Sequence, residues 1–319
     1  MKRAAGPAMS ILVLAAVGFG QTSTLPVLGY AKTSVNTVVF RGNSIASLGT
    51  TQFVSYYDST GKVVLAKRTL GNTSWQTKTT SISGGVTDAH NSISIGVDGD
   101  GFLHMAWSMH STKLRYCKAT AAGSLEMGAE SGMMGTLEAN TTYPQFFRTK
   151  EGNLLFMYRD GSSGSGNLVL NRYDVKAAKW SRVQSNLIDG EGARNAYWEA
   201  YIDANGVLHV GWVWRETADV ATNHDICYAR SKDGGVTWEK SNGERYTLPI
   251  KASTAENALI IAQKSELINQ TTIAADDKSR PYIASYWVPA GESVPQYQLV
   301  YLDGTGWRSQ KIGNRTTDF

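Results

Sequence analysis

A unit of about fifty residues recurs along this chain, and a period of that length restricts the fold more than any other feature. The copies begin GTTQFVSYYD at residue 49, GDGFLHMAWS at 99, EGNLLFMYRD at 151, NGVLHVGWVW at 205 and KSRPYIASYW at 278. Most share a glycine turn, an alternating apolar strand, a polar loop of variable length, and a second strand containing tyrosine. Trp75, Trp180, Trp238 and Trp307 close four of them. Several short strands per unit at this spacing predict an all-β β-propeller, each unit one blade. The 32 glycines, 15 tyrosines and 9 tryptophans against 7 prolines agree with many turns and wide side chains packed between sheets.

The first twenty residues follow a different pattern. Lys2 and Arg3 precede an apolar stretch from Met9 to Phe19, with small Gly18 and Gly20 behind it. That is the pattern of a secretory signal, too short to span a bilayer. Residues 1–20 are therefore expected to be a leader and 21–319 the propeller domain, secreted or periplasmic. Loss of Lys2 and Arg3 would take the net charge of +4 down by two. A mild positive balance suits an acidic ligand. The chain lacks the Lys/Arg runs of nucleic-acid binders and any later apolar run of membrane-spanning length. Cys117 and Cys227 are too few for a disulfide scaffold.

Three of the five histidines fall in DAHNSISIGVDGDGFLHMAWSMH, residues 88–110. His104 lies mid-strand, whereas His90 and His110 stand at the outer ends of two strand-like runs. In an antiparallel hairpin the start of the first strand and the end of the second share one edge. His90, Asn91 and His110 therefore share the rim of one blade. Tyr143 and Arg159 share the rim of the next, and Tyr197 and Arg215 that of the third. Three neighbouring blades thus deliver two histidines, two tyrosines and two arginines to one face. His104 and His209 occupy matching positions three residues after Gly101 and Gly206 and read as packed core.

Other motifs read as structural or weak. SKDGGVTW, residues 231–238, matches the Asp-box pattern, in which an aspartate turn is pinned by tryptophan between outer strands, so Asp233 and Trp238 are expected far from the rim face. His224 and Cys227 lack the paired ligands of a convincing zinc site, and no metal is expected. GSSGSG, residues 161–166, precedes no helix and so is no phosphate cradle; it reads as a flexible hairpin loop beside Arg159. Asp88, Asp160, Glu199 and Glu216 lie near rims without forming an evident hydrolytic pair.

DAHNSISIGVDGDGFLHMAW, TYPQFF, YRDGSSGSGNLVLNRYD, NAYW and NHDICYARSKDGGVTW together resemble a family of secreted bacterial proteins with neuraminidase-type repeats. That family includes ulvan lyases and rhamnose–glucuronate-cleaving enzymes. The likeness runs from about residue 35 to the end and is densest from 86 to 240. It implies a seven-bladed propeller, whereas about five units are recognisable here, an expectation of truncation. It also implies roles: His90 as an acid/base residue with His110 as its companion, Tyr143 for a second proton, and Arg159 to neutralise a uronate carboxylate. Asn91, Tyr197 and Arg215 would bind substrate. The implied activity is polysaccharide lyase action on a rhamnose–uronic acid polymer by β-elimination, without cofactor, on an acidic polysaccharide and neither nucleic acid nor membrane. A glycoside hydrolase of rhamnosidase or sialidase type and a non-catalytic carbohydrate-binding propeller are the alternatives. The hydrolase would need a carboxylate pair, and the binding module would leave the His90–Tyr143–Arg159 set without a use.

Overall fold

The computed structural model of the protein describes residues 23–304 and 306–319. The expected leader, residues 1–20, lies outside them. The strands form five antiparallel sheets, each built from consecutive strands in chain order. The first holds β1 (Ile45–Leu48), β2 (Thr51–Tyr57), β3 (Lys62–Thr69) and β4 (Gln76–Ser83). The second holds β5 (Ile93–Val97), β6 (Leu103–Trp107) and β7 (Tyr116–Lys118). The third runs from β8 (Thr141–Arg148) through β9 (Leu154–Ser162) and β10 (Ser165–Asp174) to β11 (Lys179–Ile188). The fourth contains β12 (Asn195–Ile202), β13 (Leu208–Arg215), β14 (Asn223–Ser231) and β15 (Glu256–Leu259). The fifth contains β16 (Thr272–Ala275), β17 (Pro281–Trp287), β18 (Gln296–Leu302) and β19 (Trp307–Lys311). Each recurring sequence unit maps onto one sheet. The second sheet has three strands where the others have four, because residues 119–138 make only isolated bridges, such as Ala119 with Met127.

An aspartate turn recurs in four of the sheets. One carboxylate oxygen accepts backbone N–H groups two and four residues ahead, from Asp58, Asp98, Asp203 and Asp276, at 2.8–3.1 Å. Such a side-chain bond fixes the chain reversal locally. In the second and fourth sheets the other carboxylate oxygen is 3.1 Å from the Nε2 of His104 or His209, whose Nδ1 meets Tyr116 or Tyr228. Both rings are fully buried. Burial pushes both imidazoles down, opposed by the adjacent aspartates. These histidines tie turn to strand, as their matching positions imply.

First strands of successive sheets touch, β1 with β5, β5 with β8, β8 with β12 and β12 with β16. Apolar clusters fill the spaces between neighbouring sheets. Trp198, Trp212, Trp214 and Trp238 all enter one of them. Fully burying such a side chain contributes about 2–3 kcal/mol. This stacking holds the starts of β5, β8 and β12 side by side, and those starts carry the predicted rim residues.

Candidate active site

Ile93 of β5 pairs with Trp107 of β6, so three residues further out His90 meets His110 across the same hairpin edge. Their rings stack with centroids 4.0 Å apart and planes 18° from parallel. Asp88 lies beneath both. Its Oδ1 is 2.7 Å from His90 Nδ1, and its Oδ2 is 2.6 Å from His110 Nδ1. Ser108 and Ser111, flanking His110, have φ of 57° and 50°, a left-handed backbone that turns the histidine back over Asp88. Roughly a third of each imidazole is open to solvent (33% and 37%).

Tyr143 lies within β8, at a bulge. Register is lost between Thr142, opposite Arg159, and Gln145, opposite Met157. Tyr143 itself has φ of 58°, rare for a bulky side chain. The bulge re-aims its ring toward His90, 6.0 Å away, and toward Tyr197, also 6.0 Å away. Tyr197 likewise lies inside β12. The Arg159 guanidinium lies 5.1 Å from the Tyr143 ring centroid. One arm donates to the hydroxyls of Thr142 and Ser111 at 3.0 and 3.3 Å. The residue is 1% exposed, and its Nε has no hydrogen-bond partner among the described residues, so the two hydroxyls occupy only one arm of the guanidinium.

The remaining predicted residues are hydrogen-bonded within the protein. Tyr197 shares its hydroxyl with Ser163 and Arg215, both at 3.0 Å. Arg215 spends its other donors on the carbonyls of Thr217 and Ala218 and on Asn269. Asn91 donates to Gly85 within its own loop, while its carbonyl accepts the Tyr57 hydroxyl. All three thus have hydrogen-bond partners within the protein at the rim. The GSSGSG segment is not a flexible loop: Gly161 pairs with Gly166 and Ser162 with Ser165. Gly166 is required there, because a Cβ would lie 2.8 Å from Arg159 Cδ and 2.7 Å from Asn195 Oδ1. His224 and Cys227 have separate partners, Glu216 and Asp225 for the histidine and Asn257 for the thiol. Asp233 lines a hollow with Lys150 and Gly206, at the hairpin ends opposite the rim, and Trp238 closes the same turn through Gly235.

Two neighbours belong to no motif. Phe40, from the segment before β1, stacks on the other face of His90 at 4.9 Å and meets Tyr143 edge-on at 5.3 Å. Asp88 stands in the sequence as one of several rim acids. The signal that singles it out is its D-x-H spacing, which lets its oxygen accept the His90 backbone N–H as well.

The electrostatics separate His90 from Tyr143. Burial lowers the His90 imidazole below its ordinary value, His110 and Arg159 add to that, and Asp88 opposes it. Burial raises the Tyr143 phenol, as does neighbouring Tyr197, while Arg159 and Arg215 pull it back only partly. At neutral pH the imidazole is thus a free base and the phenol a proton donor. Burial pushes Asp88 up, but the His90 backbone N–H and both imidazoles outweigh it and hold the carboxyl at about 2.

The chain is similar to several known proteins. An ulvan lyase, long isoform, from Alteromonas sp is 31% identical over 204 residues, covering 52% of this chain and 20% of the relative. An ulvan lyase, short isoform, from Alteromonas sp. (strain LOR) is 26% identical over 223 residues, covering 52% of this chain and 42% of the relative. The chain therefore spans less than half of the curated relatives it matches. Among solved structures, the polysaccharide lyase Uly1 superposes with a TM-score of 0.72 at 19% identity, over 93% of this chain and 76% of that one. A PL25 ulvan lyase bound to -[GlcA(1-4)Rha3S]- gives 0.69 at 14%, over 92% and 73%. These structures share its all-β fold. The model of the BNR repeat-containing family matches residues 51–315, and the chain belongs to that family.

Proposed function

We propose that this protein is an exported polysaccharide lyase that cleaves a rhamnose–uronic acid polymer of the ulvan type by β-elimination, on a β-propeller whose blades are the five sheets. The observation that carries the reading is the His90–His110 pair, seated on Asp88 beside Tyr143 and Arg159. The lyases among its relatives, and the glucuronate–rhamnose sulfate ligand of a structural neighbour, support the substrate class.

Elimination from a uronate needs a neutralised carboxylate, a base for the C5 proton and an acid for the departing O4. Arg159 supplies permanent positive charge from beneath the Tyr143 ring. His90 takes the C5 proton at Nε2, the C5–H electron pair forms the C4–C5 double bond, and the C4–O4 bond breaks. Tyr143, held protonated, donates to O4, and each transfer contributes about 10²–10⁴-fold. Tyr197 and Arg215 shape the floor, and no step is routed through a metal or organic cofactor.

The test is incubation with ulvan under continuous ultraviolet recording. The expected product carries an unsaturated uronate that absorbs as chains shorten. New reducing ends without that absorbance would mean hydrolysis, and binding without cleavage would mean a lectin-like module.

A further inference from the structure

We infer that Asp88 is the positioning residue of this site: its single carboxylate holds both His90 and His110 with Nδ1 protonated, so that both Nε2 atoms face the ligand and the pair carries one mobile proton. This rests on the lyase reading for its catalytic consequence, though not for its geometry.

Each carboxylate oxygen serves a different ring, Oδ1 to His90 and Oδ2 to His110. An ionised carboxylate only accepts, so both Nδ1 atoms must donate. Neutral imidazole has one N–H, which leaves the lone pair on Nε2 in both rings. The stacked arrangement suits a forked acceptor: the rings are nearly parallel with centroids 4.0 Å apart, and each Nδ1 meets its own oxygen of the one carboxylate. Asp88 also accepts the His90 backbone N–H at 2.9 Å, which fixes the acid relative to the loop it serves.

The charges around the pair set its proton content. One carboxylate balances one imidazolium, and a second imidazolium would stack against the first with Arg159 adding further positive charge. Phe40 covers the free face of His90, so water cannot offset that repulsion there. The pair therefore holds a single added proton, which either Nε2 can carry. After His90 has taken the C5 proton and Tyr143 has given its own to O4, Asp88 balances the imidazolium; one proton then leaves the pair through half-buried His110 while solvent returns one to the Tyr143 phenolate, and the site is reset.

The test combines nitrogen NMR of the histidine rings with kinetics of Asp88→Asn. Asparagine keeps an acceptor for the His90 N–H but cannot accept from both rings. In the wild-type protein, His90 and His110 should both show the Nδ1–H tautomer at neutral pH. In the variant at least one ring should change tautomer, and kcat should fall about 10²-fold or more with KM within about threefold. The acidic limb of kcat/KM should also move to lower pH, because the carboxylate that raises the imidazole is gone. A purely structural role would lower activity without moving that limb. An Nε2–H tautomer at either ring of the wild type, or a variant retaining full turnover, would overturn the assignment. If the wild type forms no unsaturated product, the lyase reading fails, and the wild-type nitrogen spectra still decide the tautomers even should Asp88→Asn fold poorly.

Discussion

His90 and Tyr143 are neighbours driven in opposite directions by the same burial, one toward the free base and the other toward the protonated phenol. In the proposed mechanism that opposition suits one as base and the other as acid, their ring centroids 6.0 Å apart. The base must be neutral, and a lowered imidazole pKa keeps it neutral further into the acid range. The acidic limb of kcat/KM should accordingly fall below pH 6.5, the ordinary histidine value; a pH–rate profile that rises only above it contradicts the environment described. Arg159→Ala should depress kcat by about 10²–10³-fold while KM changes far less, because the charge it meets grows in the transition state. His90, His110, Tyr143 and Arg159 are legible in the sequence because hairpin pairing sends strand starts and ends to one edge. Phe40 is not, since it arrives from a segment with no periodicity at all. The support given by Arg215 is also hidden, because a sequence shows a guanidinium but not the carbonyls that consume its donors.

At the scale of the strand and turn, alternating apolar residues and recurring glycine turns announce most of the hairpins. The bulge at Tyr143 has no such signal: nothing in TYPQFF reports a positive φ, although Pro144 is the one residue there that cannot continue a ladder. The glycines of GSSGSG suggest a loose loop beside Arg159, but Gly166 makes room for the stem of Arg159 itself. Gly166→Ala should thus cost about 1–3 kcal/mol through overpacking and lower kcat by displacing the guanidinium, both readable in one purified variant. The Asp box gives the opposite case. Asp233 accepts from the backbone of Val236 and Thr237 and from the Thr237 hydroxyl. Asp233→Ala should cost about 1–2 kcal/mol in a melting experiment with turnover per folded molecule unchanged, because the box lies at the far ends of the hairpins.

Across the whole molecule, contact between first strands brings the rims of three sheets together, and it also places Glu199 on the Tyr197 face of β12, two residues inward. Gln145 of the neighbouring first strand donates to it at 3.0 Å, yet burial dominates and raises its carboxyl to about 8. A folded value above the unfolded one means that this contribution is fully present below pH 4.5 and is lost as pH rises through 8. Glu199→Gln should raise the melting temperature at pH 8 by about 2–4 °C, with little change at pH 4, when thermal unfolding is followed at both. The five sheets are legible because each repeat carries its own turn and strand pattern. The missing fourth strand of the second sheet is not, since residues 119–138 are polar and glycine-rich enough to resemble any other loop. The central claim is that one rim collects the machinery for elimination from a uronate. Its most direct test is a crystal structure of the His90→Ala variant with a glucuronate–rhamnose oligosaccharide. The uronate is predicted to lie over the three-sheet rim, with C5–H facing the vacated imidazole position, O4 within reach of the Tyr143 hydroxyl and the carboxylate turned toward Arg159. An oligosaccharide bound at the Asp-box end of the hairpins, or lying on the rim with its carboxylate turned away from Arg159, would contradict it.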